Sequence, residues 1–283
     1  MNYYAAGRRG VQRAFPEIKS LPGFPAAISS LFPIRLCFMD NWPTYLVRNR
    51  GALDRHEQQR LQQSVVAIVG CGGLGGFVIE ELARIGVGDL LLVDPDRFEE
   101  SNLNRQLYSD RQCLGRRKAL VAAERVRQIH GHCRATALTT DFRDQADLLS
   151  SRAMVIVDGV DSLEARKDLG RLCRRGGKPL VHGAVNGWYG QVAVQQPGRD
   201  LIGRLYPDGV VHWVEPPSVL ACTVATVASL QAAEVVKLLL GRDSALRDNW
   251  LSVDLLHTEF TLVPVGFGTP VTIFCGKSTA ISK

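Results

Sequence analysis

Three glycines, Gly70, Gly72 and Gly75, follow the β-branched run VVAIV at 65–69 in the spacing G-x-G-x-x-G. An acid, Asp94, stands about twenty residues further on, at the end of a second apolar run, DLLLVD. Such a loop offers a phosphate the free backbone N–H groups and the positive end of the helix that it opens. Which phosphate it takes is decided by other residues. The stretch ESNLNRQLYSDRQCLGRRKA at 100–119 supplies Arg105 and Lys118, with Asn102 and Gln106 as neutral donors. A dinucleotide has one pyrophosphate, which a helix N-terminus can largely satisfy. A triphosphate carries about four charges and calls for a guanidinium to grip two oxygens and an ammonium to act as a point charge. Arg105 and Lys118 fit those two roles. A third element, DGVDS at 158–162, carries Asp161, a hard oxygen ligand suited to holding magnesium together with phosphates. A lone Asp directly before a helix also serves as its N-cap, and at this point both readings of Asp161 stand.

These residues need elements to position them. The polar run LDRHEQQRLQQ reads as a short helix leading into the strand at 65–69, followed by a helix at 74–85 that ends at Gly86 and Gly88 and a strand at 89–93. A helix at about 116–130 carries Ala119, Ala123, Val126 and Ile129 at helical spacing. The strand-like MVIVDGV, a helix at 162–175 and the strand KPLVHGAV come next. Strand and helix alternate at βαβ intervals, which predicts an α/β fold: a doubly wound, mostly parallel Rossmann-like sheet with helices on both faces. WYGQVAVQQ alternates with period two and turns back as an antiparallel extension. Residues 197–218, rich in Pro and Gly, form a long crossover loop. Residues 1–44 show no sustained period and read as a poorly ordered extension, and 266–283 read as a tail.

Composition narrows the class. A chain of 283 residues with 46% hydrophobic content can bury a large core. Its net charge of +6 comes mostly from arginine, since only seven of 34 cations are lysine. Scattered singly and in pairs such as Arg174 and Arg175, these cations read as a solvated surface and not as a nucleic-acid stripe. The seven cysteines, Cys37, Cys71, Cys113, Cys133, Cys173, Cys222 and Cys275, form no C-x-x-C pair, which points to a reducing, cytoplasmic setting and away from a zinc ribbon. Pro16, Pro22, Pro25 and Pro33 break every apolar run near the start, so no signal peptide is legible. Gln231, Glu234 and Lys237 interrupt the apolar stretch at 219–240, which reads as a buried or interface helix and not a membrane span.

From about Tyr45 to Gly241 the sequence resembles the ubiquitin-activating-like, or E1-like, adenylyltransferases, which include the bacterial enzymes that activate the sulfur carriers of molybdopterin and thiamine synthesis. The likeness rests on G-x-G-G-L-G at 70–75, SNLNRQ at 101–106, LGRRK at 114–118, DGVDS, and SLQAAEVVKLLLG at 229–241. It implies an adenylation domain at 45–265 that uses ATP and Mg2+. Gly70, Gly72, Gly73 and Gly75 would lie along the nucleotide, with Gly73 against it, and Asp94 would bind the ribose. From the segment Ser101, Asn102, Leu103, Asn104, Arg105 and Gln106, the resemblance gives Asn102 and Arg105, with Lys118, to the phosphates. Asp161, beside Ser162, would bind magnesium. An arginine from YLVRNRGAL would reach across a homodimer to the neighbouring site; of Arg48 and Arg50, Arg48 is assigned. The implied reaction is attack of the C-terminal glycine carboxylate of a small carrier protein or peptide on the α-phosphate of ATP.

The sequence also departs from that family. Many relatives hold a structural zinc with two C-x-x-C pairs; here the crossover reads RDLIGRLYP and only Cys275 follows Gly241, so no structural zinc is expected. Val214 stands where some relatives carry a reactive cysteine. Cys222, at the start of the apolar helix, is expected to be a small buried thiol, whereas Cys71 sits in the glycine loop, where a helix N-terminus favours a thiolate. The acyl-adenylate is therefore the last step expected. In HGAVNGWYGQV at 182–192, Gly183, Gly187 and Gly190 would let a carrier tail approach closely, with Trp188 and Tyr189 as groove or core. The homodimer would be built partly on the apolar face of 219–240. Three other functions remain. An NAD-dependent oxidoreductase leaves Arg105 and Lys118 unexplained, and a scaffold leaves the phosphate-binding set idle. Adenylation of another substrate, such as a modified tRNA base, finds no basic-aromatic surface in the sequence.

Overall fold

The computed structural model describes residues 42–208, 218–247 and 249–265. The expected extension up to residue 41, the centre of the crossover with Val214, and the tail at 266–283 lie outside the described residues. Among the described residues eight strands form one sheet: β1 (Val65–Val69), β2 (Asp89–Val93), β3 (Arg134–Leu138), β4 (Val155–Asp158), β5 (Leu180–Asn186), β6 (Tyr189–Gln195), β7 (Asn249–Asp254) and β8 (Glu259–Pro264). Their order is β3-β2-β1-β4-β5-β6-β7-β8. The pairings are parallel from β3 through β5 and antiparallel from β5 to β8. Chain order reverses between β1 and β4, and the carboxyl ends of those strands open the crevice in which α/β sheets bind ligands.

Helices cover both faces. They are α1 (Arg55–Gln62), α2 (Gly73–Ile85), α3 (Lys118–Ile129), α4 (Ala146–Arg152), α5 (Leu163–Arg175), α6 (Leu201–Leu205) and α7 (Ala221–Leu240). Period-two alternation sorts the strands. Val66, Ile68, Leu90 and Leu92 face α2, α3 and α7, whereas Ala67, Val69, Leu91 and Val93 face the side of α4, α5 and α6. Each fully buried aliphatic chain contributes about 1.5–3 kcal/mol to the driving force. The boundaries follow local chemistry. Asp54 caps α1 in a reciprocal box with Glu57, and Gly86 ends α2 with φ of 99°.

The structure adds strands β3, β7 and β8 and helices α4 and α6 to those read from the sequence, with α6 inside the expected crossover loop. It also changes the account of α7. Val224, Val227, Val235 and Leu239 are buried within this chain, against α2 and the sheet, and Gln231 donates to the Asp158 carbonyl at 2.9 Å. The apolar stretch is thus a core helix whose exposed positions are Ala221, Cys222, Ser229 and Ala233. Unburied hydrophobic area on α7 is no longer a reason for dimerisation.

Candidate active site

The loop between β1 and α2 is folded by its glycines and by Asp94. Gly70 adopts φ of +91°, and a Cβ there would stand 2.4 Å from the Gly159 carbonyl, so the β1 and β4 loops touch backbone to backbone. At Gly75 a Cβ would lie 1.8 Å from the Gly70 carbonyl, which makes this glycine a condition of helix–strand packing. Asp94 accepts from the Cys71 N–H at 2.7 Å and from the Asp96 N–H at 2.8 Å. Burial pushes its carboxyl above the ordinary value, and these two backbone donors oppose the rise. Gly72 is the N-cap of α2 and brings no side-chain acceptor, so the helix's first N–H groups are left for a ligand at the cavity.

Around that N-terminus opens a cavity of about 930 Å³. Arg105 and Lys118 both line it. Arg105 is held by the Ser101 carbonyl and the Asn104 side chain, each at 2.8 Å, and the Lys118 ammonium lies 3.2 Å from Asp96. Gln106 also lines the cavity, and its buried Oε1 has no hydrogen-bond partner among the described residues. Val69, Val93, Phe142 and Val160 form an apolar wall fit for a planar base, with the Arg143 guanidinium 4.9 Å over the Phe142 ring. Asp161 lines the cavity as well. The open question of its role is decided by its neighbour: Ser162 is the N-cap of α5, accepting from the Ala165 N–H at 3.0 Å. Asp161 is exposed and, among the described residues, makes no side-chain hydrogen bond or ion pair.

The structure thus brings together Gly70, Gly72, Gly73, Asp94, Arg105, Gln106, Lys118, Asp161 and Ser162 around one cavity. It places Gly75, Ser101, Asn102, Leu103 and Asn104 behind or beside that wall. Asn102 is buried and accepts from the Glu99 N–H at 3.0 Å, fixing the turn that carries Arg105. Arg48 is exposed on a 3-10 turn at Thr44–Asn49, away from this chain's own cavity. Asp96, Phe142 and Arg143 were not read from the sequence. The second acid of Asp94-Pro95-Asp96 was visible there, but Phe142 and Arg143 follow the unrecognised strand β3.

Three expectations are corrected. A Cβ at Gly183 would fall 2.4 Å from Gln231, and one at Gly190 2.3 Å from Val227, so both glycines admit α7 and not a carrier tail. Gly187 differs from them: a Cβ there would meet open space, and its N–H donates to the Ser218 carbonyl at 2.6 Å. The thiols exchange places as well. Cys71 is fully buried, and desolvation, with Asp94 beside it, pushes its thiol well above the ordinary range. Cys222 is exposed, in the first turn of α7.

Comparison with known proteins gives the family. The model of the ThiF family matches residues 46–268. Over 212 residues, 73% of this chain and 78% of the relative, the sequence is 35% identical to the SAMP-activating enzyme E1 of Haloferax volcanii. Over 219 residues, 74% of this chain and 81% of the relative, it is 34% identical to the sulfur carrier protein adenylyltransferase of Thermus thermophilus. Escherichia coli MccB, solved with ATP, shares the fold at a TM-score of 0.62 and 21% identity, over 76% of this chain and 67% of that one. The chain belongs to the ThiF family of E1-like adenylyltransferases, and it is an enzyme of the nucleotidyltransferase class.

Proposed function

We propose that this enzyme activates the C-terminal carboxylate of a small ubiquitin-like sulfur-carrier protein, or of a peptide, as an acyl-adenylate, with Mg-ATP as co-substrate and pyrophosphate as product. One observation carries the reading: an uncapped helix N-terminus at Gly72 meets Arg105, Lys118 and the unpaired Asp161 around a single cavity. The relatives support the substrate class, one being named as an enzyme that activates SAMP and one as an adenylyltransferase of a sulfur carrier protein. MccB, solved with ATP, supports the nucleotide.

The carboxylate is ionised at neutral pH and needs no general base. Its oxygen bonds to the α-phosphorus as the bond from that phosphorus to the pyrophosphate oxygen breaks. Charge gathers on the departing pyrophosphate. Arg105, already oriented by Ser101 and Asn104, and Lys118 neutralise that charge where it develops. Asp161 would hold magnesium jointly with the phosphates, and the ion would supply further charge neutralisation. In this reading the enzyme is a homodimer, and Arg48 of each protomer serves the other's site.

The deciding experiment is carrier-dependent exchange of labelled pyrophosphate into ATP, run beside calorimetry with ATP, NAD and NADP. Exchange together with ATP binding is expected. Micromolar NAD binding with none for ATP overturns the reading.

A further inference from the structure

Beside Asp161, and reaching the cavity wall through Arg166, lies a polar cluster that the proposed chemistry does not use. Asp158 ends β4, Arg166 lies on α5, His182 on β5 and Gln191 on β6, and Tyr206 follows α6; all five are buried. Their bonds interlock. His182 Nδ1 lies 2.7 Å from Asp158 Oδ2 and must donate to it, which leaves Nε2 as acceptor, facing the Gln191 amide at 3.0 Å and the Tyr206 hydroxyl at 3.1 Å. The Tyr206 oxygen in turn accepts from Arg166 Nη1 at 3.2 Å and from the Gln191 amide. Arg166 Nε donates to Asp158 at 3.0 Å, and its Nη2 donates to the Val160 carbonyl at 2.8 Å.

Stability alone does not call for this arrangement. A buried ion pair replaced by well-packed apolar side chains is commonly neutral or stabilising. What the cluster connects is more telling. One end is Val160, which lines the cavity immediately before Asp161. The other end is Tyr206, and α6 before it is pinned: the Ile202 N–H donates to Gln195 at 3.1 Å, and Gln195 donates to the Gly170 carbonyl at 2.8 Å. The Arg166 guanidinium is a rigid planar fork, so its hold on Tyr206 and its hold on Val160 cannot change independently.

We propose that Tyr206 is a positioning residue for adenylation: by orienting the Arg166 fork it sets the Val160–Asp161 peptide, so that α6 and the Asp161 loop hold or shift as one unit. The proposal rests on the Mg-ATP reading above. Linkage is reciprocal, so a nucleotide that orders the Asp161 loop must also order α6.

The test is amide hydrogen exchange on the full chain with and without Mg-ATP, in the wild type and in Tyr206→Phe, which removes only the hydroxyl. In the wild type, Mg-ATP is expected to slow exchange at 158–163 and also at 201–206, by about fivefold or more. In Tyr206→Phe the effect at 201–206 disappears, ATP affinity measured by calorimetry stays within about threefold, and the magnesium concentration for half-maximal ATP binding rises severalfold. A merely structural hydroxyl would lower the unfolding temperature and leave the magnesium requirement unchanged. That result overturns the proposal, as does protection at 158–163 with none at 201–206 in the wild type, a measurement that stands even if the variant fails to fold. Absence of ATP binding overturns this proposal and the function together, whereas ATP binding without coupling removes this proposal alone.

Discussion

The Lys118 ammonium stands 3.2 Å from the Asp96 carboxylate, and the Lys118 N–H donates to the Asp96 carbonyl at 3.0 Å. Lys118 is the first residue of α3, so strand β2's exit loop and the start of α3 jointly aim its side chain at the cavity. The Asp96 side chain is 63% exposed whereas that of Lys118 is only 10% exposed, so the ammonium is the buried member of the pair and gains from an anion at the cavity. Arg105→Ala and Lys118→Ala are each expected to slow pyrophosphate exchange by about a hundredfold or more, equivalent to roughly 3 kcal/mol of transition-state stabilisation. Circular dichroism should show the fold retained. Exchange at the wild-type rate in both variants removes their assigned roles.

Asp161 and Ser162 are adjacent yet separable. The Ser162 hydroxyl is engaged with the Ala165 N–H, so Ser162→Ala should cost about 1 kcal/mol of stability and little activity. Asp161→Asn should do the reverse, leaving the unfolding temperature unchanged while exchange falls and more magnesium is required. Paired melting curves and magnesium titrations distinguish the two, and equal behaviour of both variants contradicts the division of labour.

Much of this site was legible because its chemistry sits on short, strongly marked stretches. The glycine spacing, SNLNRQ and DGVDS each combine a turn or helix start with the polar residues that use it. Parts of the fold were not legible, for physical reasons. Strand β3 reads RATAL, lies at the sheet edge and is only half-buried, so it lacks the continuous apolar run that marks β1 and β2. With β3 went Phe142 and Arg143. Ser162's capping role was hidden because Asp161 competes for it, and only the bond to Ala165 decides. Gly183 and Gly190 misled for a related reason: a glycine signals close approach without saying what approaches, and here it is α7.

The thiols give a test of that correction. Native protein treated with iodoacetamide should be alkylated at the exposed Cys222 and not at Cys71, whose thiol is buried and held protonated by desolvation. Peptide mass mapping reads both positions at once. Rapid labelling of Cys71 in folded protein would contradict its placement beneath the glycine loop.

His182 predicts a pH dependence of stability. Burial lowers its pKa from 6.5, against the opposing bond to Asp158. Between the unfolded value and the lower folded one, the unfolded chain binds more protons, so stability rises with pH and is lost on acidification below about 6.5. The Asp158 carboxyl is disfavoured by burial, but Arg166 and His182 outweigh that and hold it below 3.8, so its contribution is lost only at still lower pH. Exposed His257, raised by Asp254, carries the opposite sign. Melting curves from pH 7.5 to about 5.5 should therefore fall less steeply for His182→Gln than for the wild type. Parallel slopes would show that His182 does not titrate differently on folding.

The last prediction concerns Arg48, which lies on the surface of its own protomer, on a short turn outside the cavity. If it completes the partner's site, Arg48→Ala should be inactive in exchange even though nothing in its own cavity has changed. Mixing should then rescue it. In a heterodimer of Arg48→Ala with Lys118→Ala, the first protomer keeps Lys118 and receives an intact Arg48 from its partner, while the other site lacks both. Random reassortment of a twofold dimer makes half the dimers mixed with one good site each, so about a quarter of wild-type activity should return. Unfolding and refolding the two inactive variants together, then measuring pyrophosphate exchange, performs the test. No recovery, with light scattering confirming that dimers had formed, would place Arg48 outside the reaction or acting only within its own chain.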